Sequence, residues 1–537
     1  MKRLLMALVL LAALLYAVEA IDWFGLNQFK PLLTINTVAN EYILSWSRLP
    51  YPVYYEVEVF SAPPREDING TGQIITKYRT LDTRLVIKQN FPFHTFWRVS
   101  AHSLFHHPLG RCSDTLKFED HTGQELPTFD RIKPVPTIHY PYNLPASSQP
   151  MFTWTVVPGA VYYELELLSA FPENPNGIKP SRRHQLKITR EVFTNGYNAD
   201  LSWYEGNHLF WRVRALNNKG NPIGVFSDAA EVFIDHSLQM PLKPLLNQHQ
   251  RKNVPPPLYP AYSWIPVQGA ARHEVELLSQ PPENPNGIDP SRYRLWSAEV
   301  AGAFDCYDEE PRIIPGRYYW RVRGIDNDGN PVGVYSDIAE FTVDLSRGNY
   351  AATFGDSITH GGGAISYSPA DCDYSYQTYL YFPAVNLGKS GDTSETMLDR
   401  FDRDVLPFKP KFLLILGGTN SLRGGTPARQ VIDELAAIRD NCLVNGIRPI
   451  FLTLPPINPT AIHEVFQEET VPDWQKEFAA VNQFIRAQQY YIELEPFFTD
   501  AGGELPDHFA IDGLHLDIEG KKLMAQIINA NWSRVIR

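Results

Sequence analysis

Phe354-Gly355-Asp356-Ser357-Ile358-Thr359 is the stretch that decides the fold of the last third of the chain. The preceding run Asn349–Phe354 is typical of a short apolar strand. Gly355 permits a sharp turn, so Ser357 is expected where the strand ends and the next element begins. A hydroxyl there is exposed at a sheet edge, and the following backbone N–H groups point towards it. The stretch therefore offers Ser357 as a nucleophile, although Gly-Asp-Ser alone also fits an ordinary turn.

Three further stretches follow in a fixed order. Asn386-Leu387-Gly388-Lys389-Ser390-Gly391-Asp392-Thr393 comes after the apolar Pro383-Ala384-Val385, at a second strand-to-helix turn. Gly417-Gly418-Thr419-Asn420 follows a purely apolar strand predicted for Phe412–Leu416. Ile511-Asp512-Gly513-Leu514-His515 stands just before a predicted final helix. Because each stretch lies after a strand or before a helix, we expect all four to meet around one site.

The four stretches carry Ser, Gly, Asn and His in the order of the GDSL or SGNH hydrolase family, which the chain resembles from Arg347 to Arg537. The resemblance implies a flavodoxin-like α/β/α domain with a parallel sheet. It also implies a serine esterase that cleaves esters or thioesters of sugars, lipids and small acids. Two positions depart from the family pattern, since Ser421 follows Asn420 where Asp is common, and Leu516 follows His515 where Pro is common. Neither removes a catalytic group, so we expect effects on loop shape and substrate fit.

Ester hydrolysis needs a nucleophile, a base and donors aimed at the oxygen that becomes negative. Ser357 can supply the hydroxyl, His515 the general base, and Asp512 can reach back one turn to orient the imidazole. The backbone N–H groups of Ser357 and Gly391 and the side-chain amide of Asn420 form the predicted oxyanion hole. Taken singly, Asp512 and His515 also fit a surface turn, and Asn420 fits a left-handed turn. No metal or cofactor is expected.

Between these stretches, apolar strands alternate with helical patterns. The predicted elements are a helix from Thr426-Pro427 to Asn445-Gly446, a strand over Pro449–Leu454, a helix over Asp473–Gln489, a strand over Tyr491–Leu494 and a final helix capped by Asp517. Such alternation indicates a parallel sheet between helical layers, with ligands at the C-terminal edge of the strands. The loop His360–Asp373 either borders the substrate pocket or is an inert connection.

Three copies of one β module precede this domain. Each copy has a Trp-Arg-Val strand, then a Pro and a Gly at constant intervals, and a closing Ser-Asp; a second Trp precedes a Glu earlier in the copy. The spacing of about 110 residues matches a single β sandwich. The repeated strands are Trp97-Arg98-Val99, Trp211-Arg212-Val213 and Trp320-Arg321-Val322, and the closing pairs are Ser113-Asp114, Ser227-Asp228 and Ser336-Asp337.

Alternating segments such as Glu164-Leu165-Glu166-Leu167 and Glu274-Val275-Glu276-Leu277 predict strands whose apolar residues face the core and whose glutamates face water. The modules resemble fibronectin type III domains, although an immunoglobulin-like relative also fits. The family tyrosine, two residues before the Trp of the Trp-Arg-Val strand, is present only as Tyr318.

Several features of the modules leave alternatives open. Copies two and three share an insertion, Glu173–Ile178 and Glu283–Ile288, that is either a long turn or a ligand loop. The repeated tryptophans are either core residues or sugar platforms, and Asp326-Asn327-Asp328 fits a bare turn or a calcium site. Proline-rich stretches near Pro134–Pro145 and Pro241–Pro260 are typical of stiff linkers.

The N-terminus and the charge balance indicate export. Lys2 and Arg3 precede an apolar run from Leu4 to Ala17, which predicts a signal peptide cut after Ala20. An uncleaved anchor is the alternative, but the run is short for a span of about 20 residues. With 48 Lys plus Arg against 60 Asp plus Glu, the net charge of −12 disfavours nucleic acid or anionic membrane as a partner. We expect a secreted, periplasmic or cell-surface protein without a membrane span in the mature chain.

The four cysteines do not make a disulfide scaffold in so long an exported chain. Cys112 and Cys306 fall in different modules. Cys372 and Cys442 share the hydrolase-like region but are expected at opposite edges of its sheet, whereas a bridge needs Cα atoms within about 7 Å. The sequence therefore predicts four thiols.

The predicted chain is multidomain, with three all-β sandwich modules followed by an α/β/α domain. Its parts are a signal peptide (1–20), modules at 21–125, 135–237 and 243–345, and a hydrolase domain at 346–537. Export and tandem β modules make O-acetyl or O-acyl groups on polysaccharide the first expected substrate. A lysophospholipase or short-chain lipid esterase is the second hypothesis. A surface adhesion or glycan-binding protein with a vestigial hydrolase domain is the third. The oligomeric state is not indicated.

Overall fold

The computed structural model describes residues 33–38, 41–46, 54–60, 74–87, 95–102, 108–109, 112–113, 116–117, 132–157, 159–217, 219–247, 254–301, 304–363 and 366–537. The predicted signal peptide lies outside these residues. The chain divides into two compact units, Met1–Thr128 with Glu495–Glu504, and Phe129–Leu494 with Leu505–Arg537. None of the helices in the described part has the length and apolar character that crossing a membrane requires.

The strands of the first unit form two antiparallel sheets. They are β1 Leu33–Val38, β2 Glu41–Trp46, β3 Tyr54–Phe60, β4 Ile74–Thr80, β5 Arg84–Ile87, β6 Phe96–His102, β7 Pro108–Leu109 and β8 Leu116–Lys117. One sheet has the order β1-β2-β5 and the other β4-β3-β6-β7, with β8 also paired to β6. This two-sheet arrangement is that expected of a β sandwich.

The second and third strand groups repeat this arrangement within the second unit. The second group has β9 Met151–Thr153, β10 Tyr162–Leu168, β11 Gln185–Val192, β12 Gly196–Asn198, β13 His208–Leu216, β14 Pro222–Ile223 and β15 Ala230–Phe233. The third has β16 Leu245–Leu246, β17 Ala261–Ile265, β18 Arg272–Leu278, β19 Arg294–Ala301, β20 Asp305–Tyr307, β21 Gly316–Ile325, β22 Pro331–Val332 and β23 Ala339–Val343. The longer sheets run β11-β10-β13-β14 and β19-β18-β21-β22. We call the two groups module 2 and module 3.

The repeated tryptophans form the module cores and do not present sugar platforms. Trp154 and Trp211 are fully buried in module 2, as is Trp264 in module 3, where Trp320 is also buried. The Tyr318 hydroxyl donates to the Ile314 carbonyl at 2.9 Å, which is the bond of a tyrosine corner. The choice between a fibronectin III and an immunoglobulin-like class stays a prediction.

The prediction that the module glutamates face water is wrong. Glu166 and Glu276 are fully buried, because Arg212 and Arg321 lie directly opposite them on the neighbouring strand and donate to them at 2.6 Å. The shared insertion covers this ion pair in each module. In module 2, the Asn174 backbone and side-chain oxygens accept from the same guanidinium at 3.0 and 3.1 Å. The insertion is therefore a structural turn that buries an arginine.

Where the structure describes them, the proline-rich stretches are packed segments and not free linkers. Lys133 pairs with Asp228 of module 2 at 2.7 Å, and Pro136 forms a β-bridge to Trp154. Leu258 and Tyr259 are almost completely buried. Proline composition misled the prediction because buried and exposed extended segments share it.

A five-stranded parallel sheet forms the centre of the C-terminal domain, as predicted. Its strands are β24 Ala351–Gly355, β25 Val385–Asn386, β26 Phe412–Leu416, β27 Arg448–Leu452 and β28 Tyr491–Ile492. Its order is β25-β24-β26-β27-β28, and all pairs are parallel. The first strand of the domain thus lies between the second and the third, as in flavodoxin-like sheets.

Seven α-helices and several 3₁₀ turns are described in the C-terminal domain. The helices are α1 Ser357–His360, α2 Ser394–Val405, α3 Thr419–Arg423, α4 Ala428–Val444, α5 Pro459–Phe466, α6 Trp474–Arg486 and α7 Ile518–Val535. The 3₁₀ turns are Leu345–Gly348, Cys372–Tyr374, Tyr376–Tyr379, Leu406–Phe408 and Glu495–Phe497. Helix α4 begins one residue later than predicted, because Pro427 is extended and occupies the N-cap. Asp517 caps α7 as predicted, accepting from the Gly520 N–H at 2.9 Å.

All four cysteines are present as thiols, as predicted. Cys306 and Cys442 are buried, and burial raises the pKa of each thiol to about 12. These two side chains therefore act as small core residues and not as nucleophiles.

Candidate active site

Ser357 is the first residue of α1 and follows directly on the central strand β24. The Asp356 side chain caps this turn, accepting from the Ile358 N–H at 2.9 Å. Only glycine fits at position 355, because a Cβ there would lie 2.1 Å from the Leu416 carbonyl oxygen of the neighbouring strand. The turn therefore packs tightly against β26 and presents Ser357 at the C-terminal edge of the sheet.

Ser357, His515 and Asp512 form one hydrogen-bonded line. The His515 Nε2 lies 2.8 Å from the Ser357 Oγ, and the Nδ1 lies 2.9 Å from the Asp512 Oδ2. The other Asp512 oxygen accepts from the backbone N–H groups of Leu514 and His515 at 2.9 and 2.7 Å. Both carboxylate oxygens are thus engaged, which fixes the orientation of the imidazole.

The protonation state of Asp512 suits this arrangement. Complete burial raises its pKa, but the His515 imidazole and the two backbone donors outweigh burial and hold the pKa below its usual range. An ionised Asp512 requires the proton on the His515 Nδ1, so the Nε2 is the acceptor for the Ser357 hydroxyl. The pattern is that of a base poised to remove the serine proton.

The three predicted oxyanion donors belong to the C-terminal ends of three adjacent strands. Ser357 follows β24, Gly391 lies in the loop after β25, and Asn420 is the second residue of α3, after β26. Gly391 has φ +85°, and a Cβ there would meet no atom within 4 Å, so its surroundings are open. The Asn420 amide donates one hydrogen to the Asp392 carbonyl at 2.9 Å, and its second hydrogen can serve a substrate. Participation of these donors in catalysis stays a prediction.

Arg400 of α2 ties the nucleophile turn to the Gly391 loop. Its guanidinium donates to the Leu387 carbonyl at 2.8 Å and to the Gly355 carbonyl at 3.0 Å, and it forms an ion pair with Asp392. The side chain is almost fully buried. Sequence analysis did not single out Arg400, because an arginine on an amphipathic helix normally points to solvent.

The two departures from the family pattern lie in the protein interior. The Ser421 Oγ accepts from the Ser394 N–H at 2.9 Å, which anchors the start of α2 and hence the end of the Gly391 loop. Leu516 is buried. Ser421 therefore helps to fix the shape of the Gly391 loop, and an effect of Leu516 on loop shape stays a prediction.

The loop His360–Asp373 borders the site on the side of His515. A Cβ at Gly363 would lie 3.0 Å from the His515 Cβ, which shows how closely the loop approaches. Phe466, at the end of α5, stands edge-on to the imidazole with ring centroids 5.9 Å apart. Sequence analysis missed Phe466 and its helix, although Asn458-Pro459 is a helix-start signal and the Asn458 side chain does accept from the Ala461 N–H.

Buried charges lie beneath the nucleophile turn. The Lys521 Nζ donates to the Ile358 carbonyl at 2.6 Å, and burial lowers the pKa of Lys521 to about 8. Burial also raises the pKa of Asp356 to about 6, against the attraction of His515 and Lys521. These groups face the interior, so they support the turn and do not contact a substrate.

Comparison with known proteins finds a family match within the C-terminal domain. Residues 353–523 match the GDSL-like Lipase/Acylhydrolase family. The esterase TesA of Pseudomonas aeruginosa is 30% identical over 149 residues, which cover 27% of this chain and 64% of that protein. An uncharacterized lipoprotein of Bacillus subtilis, YqeF, is 35% identical over 89 residues, which cover 15% of this chain and 37% of that protein. The chain thus spans less than two thirds of the length of these curated relatives.

Solved structures align with about a third of the chain. The lipase/acylhydrolase from Enterococcus faecalis is 25% identical, with 35% of this chain and 97% of that chain covered and a TM-score of 0.29. The match at residues 353–523 contains Ser357, Gly391, Asn420, Asp512 and His515. The chain thus carries a GDSL-like lipase/acylhydrolase domain at residues 353–523.

Proposed function

We propose that the protein is an exported serine esterase that hydrolyses carboxylic esters through an acyl-enzyme, acting on O-acetyl or O-acyl groups of a polysaccharide. The observation that carries the esterase activity is the hydrogen-bonded line from Ser357 through His515 to Asp512 in a GDSL-like domain. This geometry, together with an Asp512 carboxylate that is held ionised, favours an active hydrolase domain over a vestigial one.

The proposed reaction has two symmetrical halves. In acylation, the Ser357 Oγ attacks the ester carbonyl carbon while the His515 Nε2 takes its proton, and His515 then protonates the leaving alcohol oxygen. In deacylation, His515 removes a proton from water, which attacks the acyl carbon and releases the acid and Ser357. The oxyanion of each tetrahedral intermediate accepts from the N–H groups of Ser357 and Gly391 and from the Asn420 amide. Donors of this kind stabilise the transition state by about 3 kcal/mol each.

Two ion pairs beside the oxyanion donors support a polar substrate. Lys389, two residues before Gly391, lies 3.2 Å from the exposed Glu309. Arg423 donates both to the Asn420 Oδ1 at 3.2 Å and to the exposed Glu468 at 2.7 Å. Such groups can hydrogen-bond sugar hydroxyls, whereas a long acyl chain packed against them would offer them no hydrogen-bond partner in place of water.

A short-chain lipid esterase or lysophospholipase is the second candidate. The observation that favours it is the Phe466 ring against His515, since an aromatic wall beside the base can contact an acyl chain. Both candidates use the same catalytic groups and differ in the substrate that fits them.

The catalytic assignment is tested by hydrolysis of p-nitrophenyl acetate. The Ser357→Ala variant is expected to lose activity by about 10⁴-fold or more, whereas Ser202→Ala, at an exposed serine of module 2, keeps it. A fluorophosphonate should label the wild type at Ser357, as located by mass spectrometry. A wild type that is both inactive and unlabelled would contradict the proposal and favour an adhesion protein.

The substrate class is tested by direct comparison. We expect release of acetate from acetylated glycans with a kcat/KM at least tenfold above that for fatty acid release from lysolipids. The opposite ratio would make the protein a lipid esterase. Export is tested by mass spectrometry of the protein secreted from a bacterial host, whose first residue is expected to be Ile21.

A further inference from the structure

Module 3 contacts the hydrolase domain through a buried two-residue segment, Leu258-Tyr259. The Leu258 N–H donates to the Asn386 carbonyl at 2.8 Å, at the end of β25. The Tyr259 carbonyl lies 2.7 Å from the His360 Nε2, at the end of α1. The segment is thus inserted between the element that carries Ser357 and the strand that leads into the Gly391 loop.

The Tyr259 carbonyl fixes the hydrogen bonding of His360. A carbonyl can only accept, so the His360 Nε2 carries a proton. Burial lowers the pKa of His360 to about 4, so the ring is neutral and its Nδ1 is an acceptor. The Ser390 hydroxyl, 2.9 Å from the Nδ1, must therefore donate to it. Ser390 is the residue before Gly391, so this chain of bonds ends at a predicted oxyanion donor.

The Tyr259 hydroxyl reaches the same loop by a second route. It donates to the buried Asp404 at 2.5 Å and accepts from Arg403 at 2.7 Å. Asp404 also accepts from Arg400 at 3.1 Å, and Arg400 pairs with Asp392. The Asp392 carbonyl in turn accepts from the Asn420 amide. One tyrosine side chain is therefore linked to the residue after Gly391 and to the third oxyanion donor.

Other residues of module 3 contact the two loops that flank Ser357. Glu309 pairs with Lys389 of the Gly391 loop, and the Tyr307 ring stands edge-on to His360 with centroids 5.8 Å apart. Asp305 shares a hydrogen bond with Ser368 of the loop beside His515. A module that only spaced the enzyme from an anchor would not need contacts with both loops.

We infer that module 3 is part of the catalytic unit, with Tyr259 as a positioning residue that holds the Gly391 loop in the conformation that binds the oxyanion. The inference rests on the proposed esterase function. It assigns module 3 a role in turnover that neither glycan binding nor spacing provides. Because the loop acts on the transition state, loss of the Tyr259 hydroxyl lowers kcat and leaves KM nearly unchanged.

The test uses the full chain with Tyr259→Phe, which keeps the ring and the backbone contacts. For p-nitrophenyl acetate we expect kcat to fall about 10- to 100-fold, with KM within about threefold of the wild type. Tyr142→Phe, at an exposed tyrosine of module 2, is the matched control and should change neither value. A variant with lower thermal stability but an unchanged kcat would show a purely structural role and overturn the inference.

A second readout does not depend on activity. Hydrogen exchange of the peptide containing Ser390–Asp392 is expected to be at least fivefold faster in Tyr259→Phe than in the wild type. Ser390→Ala, which cuts the first route and leaves the buried Asp404 paired, should show the same effect if Tyr259→Phe does not fold. Unchanged exchange in both variants would overturn the inference. A wild type inactive on all esters, with faster loop exchange in the variants, would instead contradict only the proposed function.

Discussion

At the scale of single residues, the direction of the His515 imidazole depends on the charge of Asp512. In Asp512→Asn, an amide hydrogen would face the His515 Nδ1, so the Nε2 would hold the proton and could no longer accept from Ser357. We expect kcat to fall by about 10³- to 10⁴-fold with little change in KM. Asp433→Asn, at an exposed position of α4, is the control and should be fully active. Activity of Asp512→Asn within threefold of the wild type would contradict the assigned role.

The buried Asp356 leads to a second prediction, which concerns the pH dependence of the free energy of unfolding. Its pKa is raised from 3.8 to about 6 by burial, so between these values the folded protein holds a proton that the unfolded chain has released. This contribution to the free energy of unfolding therefore decreases as pH rises from about 4 to about 7. Asp356→Asn keeps a side-chain oxygen for the cap but cannot ionise.

The comparison of wild type and Asp356→Asn isolates this group from the other ionisable residues. From pH 4 to pH 7.5, the free energy of unfolding of the wild type is expected to fall relative to the variant by about 2 kcal/mol. Denaturant unfolding at a series of pH values measures the difference. A difference that is constant with pH, or that grows, would show that Asp356 is ionised in the fold throughout this range.

At the scale of secondary-structure elements, the buried Arg212–Glu166 pair joins β10, β13 and the insertion of module 2. Arg212→Met leaves a carboxylate buried without its partner and is expected to destabilise the module by about 3–5 kcal/mol. Arg190→Met, which removes an arginine that is two-thirds exposed, should cost less than about 1 kcal/mol. Hydrogen exchange of the β10 and β13 amides gives the local stability. Substitution of both Arg212 and Glu166 by Met should recover most of the loss, and a double variant as unstable as Arg212→Met would contradict this account.

The elements also show what the sequence could and could not predict. The strand Phe412–Leu416 was predicted at its observed bounds, because a purely apolar run closed by glycines has few alternatives. The position of Ser357 followed from local turn chemistry in the same way. The burial of Glu166 was not predictable from alternation, because the arginine that pairs with it, Arg212, lies 46 residues away in the chain. Alternation distinguishes the two faces of a strand, but only tertiary structure decides which face meets water.

The repeat in the modules was visible in the sequence, but its physical reason was not. Gly224 and Gly333 have φ near +75°, and a Cβ at either would lie within 2.0 Å of a carbonyl oxygen, that of Ile132 or Leu242. The side chains of the repeated serines accept a hydrogen bond from a backbone N–H of the Trp-Arg-Val strand, as Ser227 does from the Val213 N–H at 3.1 Å. Constant spacing thus reflects a close approach between each module and its lead-in segment.

At the scale of the whole molecule, modules 2 and 3 and the hydrolase domain share one compact unit. Phe193 and Phe304 stack between the two modules, and the Gln268 N–H donates to the Asn198 side chain at 2.9 Å. Tyr259 and Asp404 are 145 residues apart in the chain, so no local pattern could reveal their contact. The prediction that stiff linkers hold the modules apart is therefore wrong at these contacts between modules 2 and 3.

This architecture predicts that the catalytic serine and module 3 influence each other. If module 3 favours the loop conformation that binds an oxyanion, then an occupied oxyanion hole must favour docking of module 3 by the same free energy. A phosphonate adduct on Ser357 mimics the tetrahedral intermediate and places an oxygen among the donors. We expect this adduct to slow hydrogen exchange in the segment 256–260 about threefold or more.

Strand β18, Arg272–Leu278, belongs to the same module but lacks these contacts with the loop, and its exchange should not change. Ser357→Ala treated with the same reagent provides the control for non-covalent effects. Equal exchange of 256–260 with and without the adduct would mean that the site and module 3 are energetically independent, whatever their contacts.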